Sequence, residues 1–219
     1  MEKKLVQTII PIEYEIRKSD EETQVIILLH GYGQKANFMF KNFAHLMPKN
    51  ATVIAPQGPY PLVNQFPLAK RKEEDELFSG FAWYFFDAQT GQFPIDYQTP
   101  SLALANLLIE LGLDKKPTSI LSYSQGAYLS LFCAERMSQV QKIIGINGAW
   151  RWDKLVKEIN AEVISLNGEH DLIVDPVKSK LGHEKLLENG CTGEFRIIAK
   201  ETHKLSDSLI KEACKYIRV

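Results

Sequence analysis

The alternation of short apolar runs with helical patterns constrains the fold of this chain more than any other feature. The runs are rich in β-branched residues and nearly free of polar interruptions, and they cover residues 24–31, 52–58, 118–124, 142–148, 162–168 and 194–200. Strands covered on one face alternate between apolar and polar residues, whereas strands buried on both faces do not. These runs therefore predict the strands of a buried, mostly parallel sheet.

The segments between the runs carry the signals of helix ends. Thr99 and Pro100 precede the apolar sequence LALANLLIEL, which predicts an N-cap followed by proline at the first helical position, and Gly112 follows the sequence. Asp175 and Pro176 predict a second helix start of the same kind. Strand and helix in regular alternation predict an α/β fold, with a mostly parallel central sheet and helices on both faces.

Two segments depart from this alternation. Residues 6–16 (VQTIIPIEYEI) predict an antiparallel edge strand, because Pro11 lacks the amide hydrogen that a central strand needs. Residues 59–98 form a lid-like connection rich in proline and aromatic residues, and connections of this length are typically lids or walls of a binding site. Since no repeat, linker or low-complexity segment divides the chain, we expect a single domain over residues 1–219.

The charge balance and the cysteines exclude several classes of function. The formal net charge of −1 gives no basic footprint for nucleic acid. The longest apolar run, VIILL, is far shorter than a membrane span. The three cysteines are widely spaced and fit neither a disulfide framework nor a metal site, and Cys133 falls in an apolar helical pattern typical of a core residue. We therefore expect a cytoplasmic protein without a metal or an organic cofactor.

Three residues with catalytic side chains each follow a predicted strand. Ser124 follows TSILSY, Asp171 follows EVISLNGEH and His203 follows EFRIIAKET. Ligands of open α/β sheets bind outside the carboxyl ends of the strands, and the order Ser, Asp, His along the chain is that of the α/β-hydrolase fold. In this interpretation Ser124 is a nucleophile, His203 takes its proton, and Asp171 orients the imidazole and stabilises the imidazolium.

The sequence S-Y-S-Q-G at residues 122–126 matches a nucleophile elbow, with Ser122 in place of the usual glycine. The elbow requires small residues two positions before and after the nucleophile, because the sharp turn brings the backbone close to its neighbours. The alternative is purely structural: Ser122 caps the following helix, and Ser124 is a small residue that eases the turn. The ordered Asp171 and His203 favour the elbow.

The sequence HGYGQ at residues 30–34 follows the first buried strand directly. The loop after this strand supplies one oxyanion donor in α/β-hydrolases, and the residue after the nucleophile supplies the other. The glycines on either side of Tyr32 allow its backbone N–H to turn inward, so we predict Tyr32 and Gln125 as the two donors. We expect His30 to order this loop by hydrogen bonding. The alternative is an ordinary turn between a strand and a helix.

These motifs resemble those of the phospholipase/carboxylesterase family of small α/β-hydrolases, which includes acyl-protein thioesterases and cytosolic carboxylesterases. The resemblance spans most of the chain and rests on HGYGQ, APQGPYPL, FAWYFFD, SYSQGA, NGEHDLIV and ETHKLS, which stand in the order and spacing of the family. By position it implies Ser124, Asp171 and His203 as the triad, and Tyr32 and Gln125 as the oxyanion residues.

The chain also departs from the pattern of this family. Ser122 and Ala127 replace glycines that are common in the elbow, and Glu201 and Thr202 replace the usual glycine pair before the histidine. The stretch FAWYFFD carries more aromatic bulk than the typical Trp-Phe/Tyr-Asp sequence. These departures concern the substrate class more than the mechanism.

The resemblance implies hydrolysis of carboxylic esters or thioesters with one acyl chain. The leading hypothesis is a serine esterase of short to medium acyl esters; the alternatives are a thioesterase or lysophospholipase acting on long acyl chains, and a hydrolase fold that binds ligands without catalysis. Apolar residues of the connection over 59–98 either form an acyl site or pin the connection to the core, and they are Leu62, Val63, Phe66, Leu68, Leu77, Phe78, Phe81 and Trp83. The substrate is thus expected to be a small or lipid-like acyl ester, and the sequence leaves open whether the chain acts as a monomer or a homodimer.

Overall fold

The computed structural model describes residues 10–63, 78–87 and 89–217. The strands of this part of the chain are β1 (Tyr14–Arg17), β2 (Gln24–Leu29), β3 (Ala51–Pro56), β4 (Tyr60–Val63), β5 (Phe78–Ala82), β6 (Phe85–Asp87), β7 (Gln92–Ile95), β8 (Thr118–Tyr123), β9 (Val140–Ile146), β10 (Glu162–Gly168) and β11 (Thr192–Ile198). The helices are α1 (Ala36–Phe43), α2 (Gln98–Glu110), α3 (Gln125–Arg136), α4 (Pro176–Glu188) and α5 (Asp207–Ile217).

Seven of the described strands form the central sheet, in the order β1-β3-β2-β8-β9-β10-β11. The β1–β3 pair is antiparallel and every other pair in this sheet is parallel. This confirms the predicted α/β class with a mostly parallel sheet.

Alternate side chains of the sheet strands enter two separate cores. In β2, Val25, Ile27 and Leu29 face one core, whereas Ile26 and Leu28 face the other, and all five are buried. Helices α2, α3 and α4 complete the first core, and α1 and α5 complete the second. Because helices cover both faces of the sheet, neither set of strand positions is left to polar residues, which explains the uninterrupted apolar runs.

The sheet reverses its winding direction between β2 and β8. The chain passes from β2 through α1 to β3 on one side, whereas β8, β9, β10 and β11 follow one another on the other side of β2. At such a reversal the loops after the two strands diverge and leave a crevice at the carboxyl edge of the sheet. Residues 30–35 follow β2 and Ser124 follows β8, so both predicted motifs lie at this crevice.

The helix starts agree only in part with the sequence patterns. Asp175 is the N-cap of α4, since its Oδ1 accepts a 2.9 Å hydrogen bond from Val177 N, and Pro176 is the first helical residue, as predicted. Helix α2, in contrast, begins at Gln98 with Tyr97 as its N-cap, so the predicted threonine cap and the following proline lie inside its first turn. Proline is tolerated there because the first amides of a helix have no partner within it.

The predicted lid-like connection over residues 59–98 contains two β-hairpins, formed by β4 with β5 and by β6 with β7. The first hairpin also pairs with the loop after β2: Gly33 N donates to Phe81 O over 2.9 Å, and Phe81 N donates to Gln34 O over 3.0 Å. Residues 64–77, between β4 and β5, lie outside the described part of the chain. This connection therefore supplies ordered strands beside the crevice, where the sequence indicated only a long irregular segment.

Strand β1 confirms the predicted antiparallel edge strand but is shorter than its sequence pattern. Tyr14 lies opposite Pro56, where β3 ends, and beyond this pair Gln57 N still donates to Glu13 O over 2.8 Å. Residues 6–9 of the predicted strand lie outside the described part of the chain. Among the described residues, no helix has the length and apolar character needed to cross a bilayer.

Candidate active site

Ser124 lies in a strained turn between β8 and α3. Its backbone has φ 50° and ψ −116°, a conformation that L-residues rarely adopt and that costs of order 1–3 kcal/mol. It is the N-cap residue of α3, yet its side chain makes no capping hydrogen bond. Ser122 does not cap the helix either, because its buried hydroxyl donates to Ile144 O over 3.0 Å on β9. The structural alternative for these two serines is therefore not supported.

Close packing of α3 against β2 explains the small residue after the elbow. A Cβ atom on Gly126 would lie 2.6 Å from Leu29 O and 2.7 Å from His30 O, well inside normal contact distance. Any larger residue would therefore push the start of α3 away from the crevice. Ser122 tolerates its hydroxymethyl group because that group has a hydrogen-bond acceptor on the adjacent strand.

The structure brings together Ser124, His203 and Asp171 from three different loops. Ser124 Oγ lies 3.0 Å from His203 Nε2, and His203 Nδ1 lies 2.8 Å from Asp171 Oδ2. A carboxylate only accepts hydrogen bonds, so Nδ1 carries the proton and Nε2 is left to accept the hydrogen of the serine hydroxyl. This is the arrangement in which an imidazole removes a proton from a serine.

The Asp171 side chain has no exposed surface, and its carboxylate is held by three hydrogen bonds. Its Oδ1 accepts from Ile173 N over 2.8 Å and from Val174 N over 2.9 Å, so the loop after β10 wraps around its own carboxylate. The second oxygen is left for His203. Leu172 and Ile173 in this loop are 94% and 74% exposed, because the turn directs their side chains into solvent.

Two side chains that the sequence analysis did not single out hold the backbone of the His203 loop. Asn147 Nδ2 donates to Thr202 O and to His203 O, each over 2.9 Å, and its Oδ1 accepts from Gly168 N over 2.8 Å. The Tyr123 hydroxyl donates to the same His203 carbonyl over 2.6 Å. Burial raises the pKa of Tyr123 to about 12, with a further contribution from the Asp171 charge, so this phenol stays protonated near neutral pH.

His30 orders the loop after β2, as predicted. Its Nδ1 lies 2.8 Å from Gly31 O, and because a carbonyl only accepts, this nitrogen carries the proton. Its Nε2 then accepts from Gly58 N over 2.9 Å and from the Gln57 side chain over 3.1 Å. Burial lowers the pKa of His30 to about 4, so the ring is neutral at physiological pH and this pattern of bonds is retained.

The bond between His30 and Gly31 also orients the predicted oxyanion donor. In a trans peptide the carbonyl and the following N–H point in opposite directions. Because Gly31 O points toward the imidazole, the Tyr32 N–H points away from it, and it makes no hydrogen bond with the described residues. Gln125 N, at the first position of α3, has no partner within the helix. The loops on the two sides of the crevice thus each present an amide that makes no hydrogen bond with the described residues.

The Gln125 side chain ties the start of α3 to the end of the first hairpin. Its Oε1 accepts from Trp83 N over 2.9 Å and its Nε2 donates to Tyr84 O over 2.7 Å. Trp83 has no exposed surface, and its indole N–H donates to His30 O over 2.8 Å. This corrects the prediction of Trp83 as a substrate contact, because the tryptophan supports the loop after β2 from within the core.

The remaining predicted acyl-site residues lie in different surroundings. Phe78 and Phe81 contact each other and line a cavity of about 540 Å³ together with residues of the β1 and α1 region, and Ser124, Asp171 and His203 do not line it. Leu62 is half-buried near Gly33, whereas Val63 is 57% exposed. Phe66, Leu68 and Leu77 lie outside the described residues. The assignment of an acyl site to this set of residues therefore stays a prediction.

Comparison with known proteins finds matches to a family model and to solved structures. The model of the family described as Phospholipase/Carboxylesterase matches residues 12–219. Sequence comparison with curated proteins finds no match.

Three of the similar structures are esterase PE8, a carboxylesterase from Mesorhizobium loti and acyl-protein thioesterase 2 from Zea mays. They share 20%, 19% and 18% sequence identity with this chain, with TM-scores of 0.75, 0.72 and 0.72. Each match covers 94% of this chain, and 98%, 94% and 97% of the other chain, respectively. At this identity the likeness shows the α/β-hydrolase fold, while the family model reaches from the edge strand to the last residue. The chain belongs to the phospholipase/carboxylesterase family of hydrolases.

Proposed function

We propose that this protein is a serine hydrolase that cleaves carboxylic esters of short to medium acyl chains through an acyl-enzyme intermediate. The observation that carries the proposal is the continuous hydrogen-bonded chain from Ser124 Oγ through His203 to the buried Asp171 carboxylate. The strained backbone at Ser124 supports it, because such strain is concentrated at functional sites.

In the acylation step, His203 Nε2 takes the hydroxyl proton as Ser124 Oγ attacks the ester carbonyl carbon. The electrons of the carbonyl double bond move to its oxygen, which the amides of Tyr32 and Gln125 stabilise by hydrogen bonding. When the carbonyl re-forms, the alcohol leaves with the proton carried by His203. Asp171 remains ionised throughout, and its role is to hold the imidazole in the tautomer that accepts at Nε2.

In the second step, water replaces the alcohol and the same groups act in the same order. His203 removes a proton from water, the hydroxide adds to the acyl carbon, and collapse of the second oxyanion breaks the bond to Ser124 Oγ. The proton returns to Ser124 and the carboxylic acid is released. A thioester would follow the same sequence, so the alternative of an acyl thioesterase differs from the proposal in its substrate and not in its mechanism.

Labelling with a fluorophosphonate probe tests this proposal directly, because the probe reacts with an activated serine. Wild-type protein should be labelled and should hydrolyse p-nitrophenyl acetate. The variant Ser124→Ala should lose labelling and lower kcat on the order of 10⁴- to 10⁶-fold while keeping its fold. The variant Ser130→Ala is a matched control, because Ser130 lies on the same helix with its hydroxyl bound to Ala127 O.

Two results would contradict the proposal. The first is intact wild-type protein that the probe does not label, which would favour a non-catalytic hydrolase fold. The second is labelling and turnover that persist in Ser124→Ala, which would place the nucleophile elsewhere. Circular dichroism of each variant separates loss of chemistry from loss of fold.

A further inference from the structure

A second cluster of polar side chains lies close to the candidate triad, around Arg151. This residue is in the loop that follows β9, and β9 lies between β8 and β10, the strands that precede Ser124 and Asp171. The loop therefore leaves the carboxyl edge of the sheet between the two. The sequence analysis assigned no role to Arg151, and nothing in the proposed mechanism uses it.

The guanidinium of Arg151 is held from two directions. Its Nε and Nη2 donate to the two carboxylate oxygens of Asp153, each over 2.9 Å. Its central carbon lies 5.9 Å from the ring centre of Phe86 and 5.5 Å from that of Phe93, both in the second hairpin. The side chain is 27% exposed. This is a pre-oriented, half-buried cation of the kind that recognises planar anions.

One edge of this guanidinium is not used. Asp153 occupies Nε and Nη2, and Nη1 makes no hydrogen bond with an acceptor in the described part of the chain. The contacts that hold the second hairpin are the two aromatic rings and the Asp153 carboxylate, and these contacts do not use Nη1. The remaining N–H groups are therefore available to a ligand.

Tyr128 is in the first turn of α3, directly after the nucleophile. It lies one helical turn after Ser124, and its amide donates to Ser124 O over 3.3 Å. Burial is the largest effect on the pKa of its phenol and raises it, while the charge of Arg151 lowers this pKa and that of Asp171 raises it. The phenol is therefore neutral and able to donate a hydrogen bond.

Tyr84 adds a second phenol to the same wall. It is buried, and its ring centre lies 5.7 Å from that of Phe93, one of the two rings that Arg151 contacts. A purely apolar acyl chain lying here would desolvate a guanidinium edge and phenol groups without offering them an acceptor, which is costly. A carboxylate would satisfy them, and the guanidinium geometry matches its two oxygens.

We propose that Arg151 and Tyr128 form a carboxylate subsite beside Ser124, and that the substrates of this enzyme are esters that also carry a carboxylate group. The inference rests on the proposed hydrolase function and narrows its substrate class. Arg151 would hold the carboxylate through its free edge while the ester carbonyl lies at Ser124 Oγ, so that binding energy from the remote acid orients the reacting carbonyl.

Paired substrates test this subsite. Monoethyl succinate, glutarate and adipate are compared with ethyl butanoate, pentanoate and hexanoate, which have the same number of acyl carbons and a methyl end. A second series compares 3-acetoxypropionate with propyl acetate, so that the acid is on the alcohol side. Proton release measured in a pH-stat gives kcat/KM for each ester. We expect the acid-bearing ester to be favoured about tenfold or more in at least one series, as for a charge-assisted hydrogen bond.

Variants then identify the residue responsible. Arg151→Met should lower the ratio of acid-bearing to methyl-ended kcat/KM by about tenfold, and Arg151→Lys should retain part of the preference because it keeps the charge but loses the planar fork. Arg136→Met is the matched control: this arginine pairs with Ser101 and Gln98 at the opposite end of α3, and its loss should leave the ratio at the wild-type value. If Arg151→Met fails to fold, the wild-type ratio is measured over increasing salt, where it should fall.

The proposal is overturned by a wild-type enzyme that shows no preference in either series. A preference that persists in Arg151→Met, or a ratio that salt does not change, has the same consequence. If such an enzyme is still labelled by the fluorophosphonate and hydrolyses the methyl-ended esters, only the subsite is lost and the hydrolase function stands. If wild-type protein is neither labelled nor active on any ester, both proposals fall together.

Discussion

Asn147 is expected to act as a positioning residue for His203, and the variant Asn147→Gly tests this role. The asparagine lies at the carboxyl end of β9 with φ 49°, in the left-handed region that glycine adopts without strain. Glycine therefore removes the side chain while preserving the backbone conformation. The hydrogen bonds lost are those to Gly168 N, Thr202 O and His203 O. His203 O keeps one donor, the hydroxyl of Tyr123.

The expected effect on stability follows from these three bonds. Asn147 has no exposed surface, so its partners are deprived of water as well as of the amide. At about 1 kcal/mol for each bond, the free energy of unfolding should fall by roughly 3 kcal/mol. Catalysis should suffer separately, because the backbone of the loop that carries His203 loses its hydrogen bonds to the Asn147 side chain at Thr202 O and His203 O. A shift of about 1 Å in a catalytic group costs on the order of 10²-fold, so we expect kcat to fall between about tenfold and 10²-fold with KM little changed.

A matched variant separates positioning from stability. Asn167 is also fully buried, and its side chain donates to Gly148 O and Ser179 Oγ, each over 3.1 Å, without contacting the His203 loop. Asn167→Ala should lower the unfolding free energy by a similar amount, as measured by urea denaturation, while kcat per folded molecule stays at the wild-type value. If Asn147→Gly folds and keeps wild-type kcat and fluorophosphonate labelling rate, the positioning argument is wrong. Equal losses of kcat in both variants would have the same meaning.

Two further predictions concern the acyl chain and the loop after β2. Over a series of p-nitrophenyl esters, kcat/KM should rise about fourfold for each added methylene as long as the chain is buried, since each methylene contributes about 0.8 kcal/mol; a rise that continues beyond about ten carbons would favour the long-chain alternative. His30→Gln should make the free energy of unfolding less sensitive to pH. Because burial lowers the pKa of His30 to about 4, the unfolded chain binds a proton at this residue as pH falls from about 6.5 to 4, and the folded chain does not. The free energy of unfolding of the wild type should therefore drop by roughly 3 kcal/mol more than that of His30→Gln over this range. Urea denaturation at pH 7 and pH 4 measures both drops, and equal drops in the two proteins would contradict the argument.

The proximity of Ser124, Asp171 and His203 could be predicted because the position of each depends on a simple rule of chain order. Ser124, Asp171 and His203 each follow a strand of a parallel sheet, and parallel strands end at one edge. Once the apolar runs predict the strands, the residues after them must share that edge. Chain order places the three residues at one edge, whereas the distances of 3.0 Å and 2.8 Å between their side chains depend on the loops after β8, β10 and β11.

The residues that support the triad were not predictable in this way, because their roles depend on which strands are neighbours. Asn147 follows β9 and looks like a turn residue in the sequence, but its side chain bonds Gly168 N at the end of the neighbouring β10 and the His203 loop that follows β11. Trp83 belongs to an aromatic stretch that resembled a substrate wall, and its burial under His30 depends on how the first hairpin pairs with the loop after β2. Such roles follow from packing and not from periodicity.

The distribution of backbone strain links these observations. Among the described residues, four that are not glycine have positive φ, namely Glu22, Ser124, Asn147 and Lys200. Three of the four lie just after β8, β9 and β11, at the carboxyl edge where the candidate triad is assembled. A chain folding only for stability would place glycine at such positions, since glycine adopts them at no steric cost. In the proposed mechanism the side chain of Ser124 is needed there for attack and that of Asn147 to hold the His203 loop, so the strain at this edge is offset by the packing of the sheet beneath it.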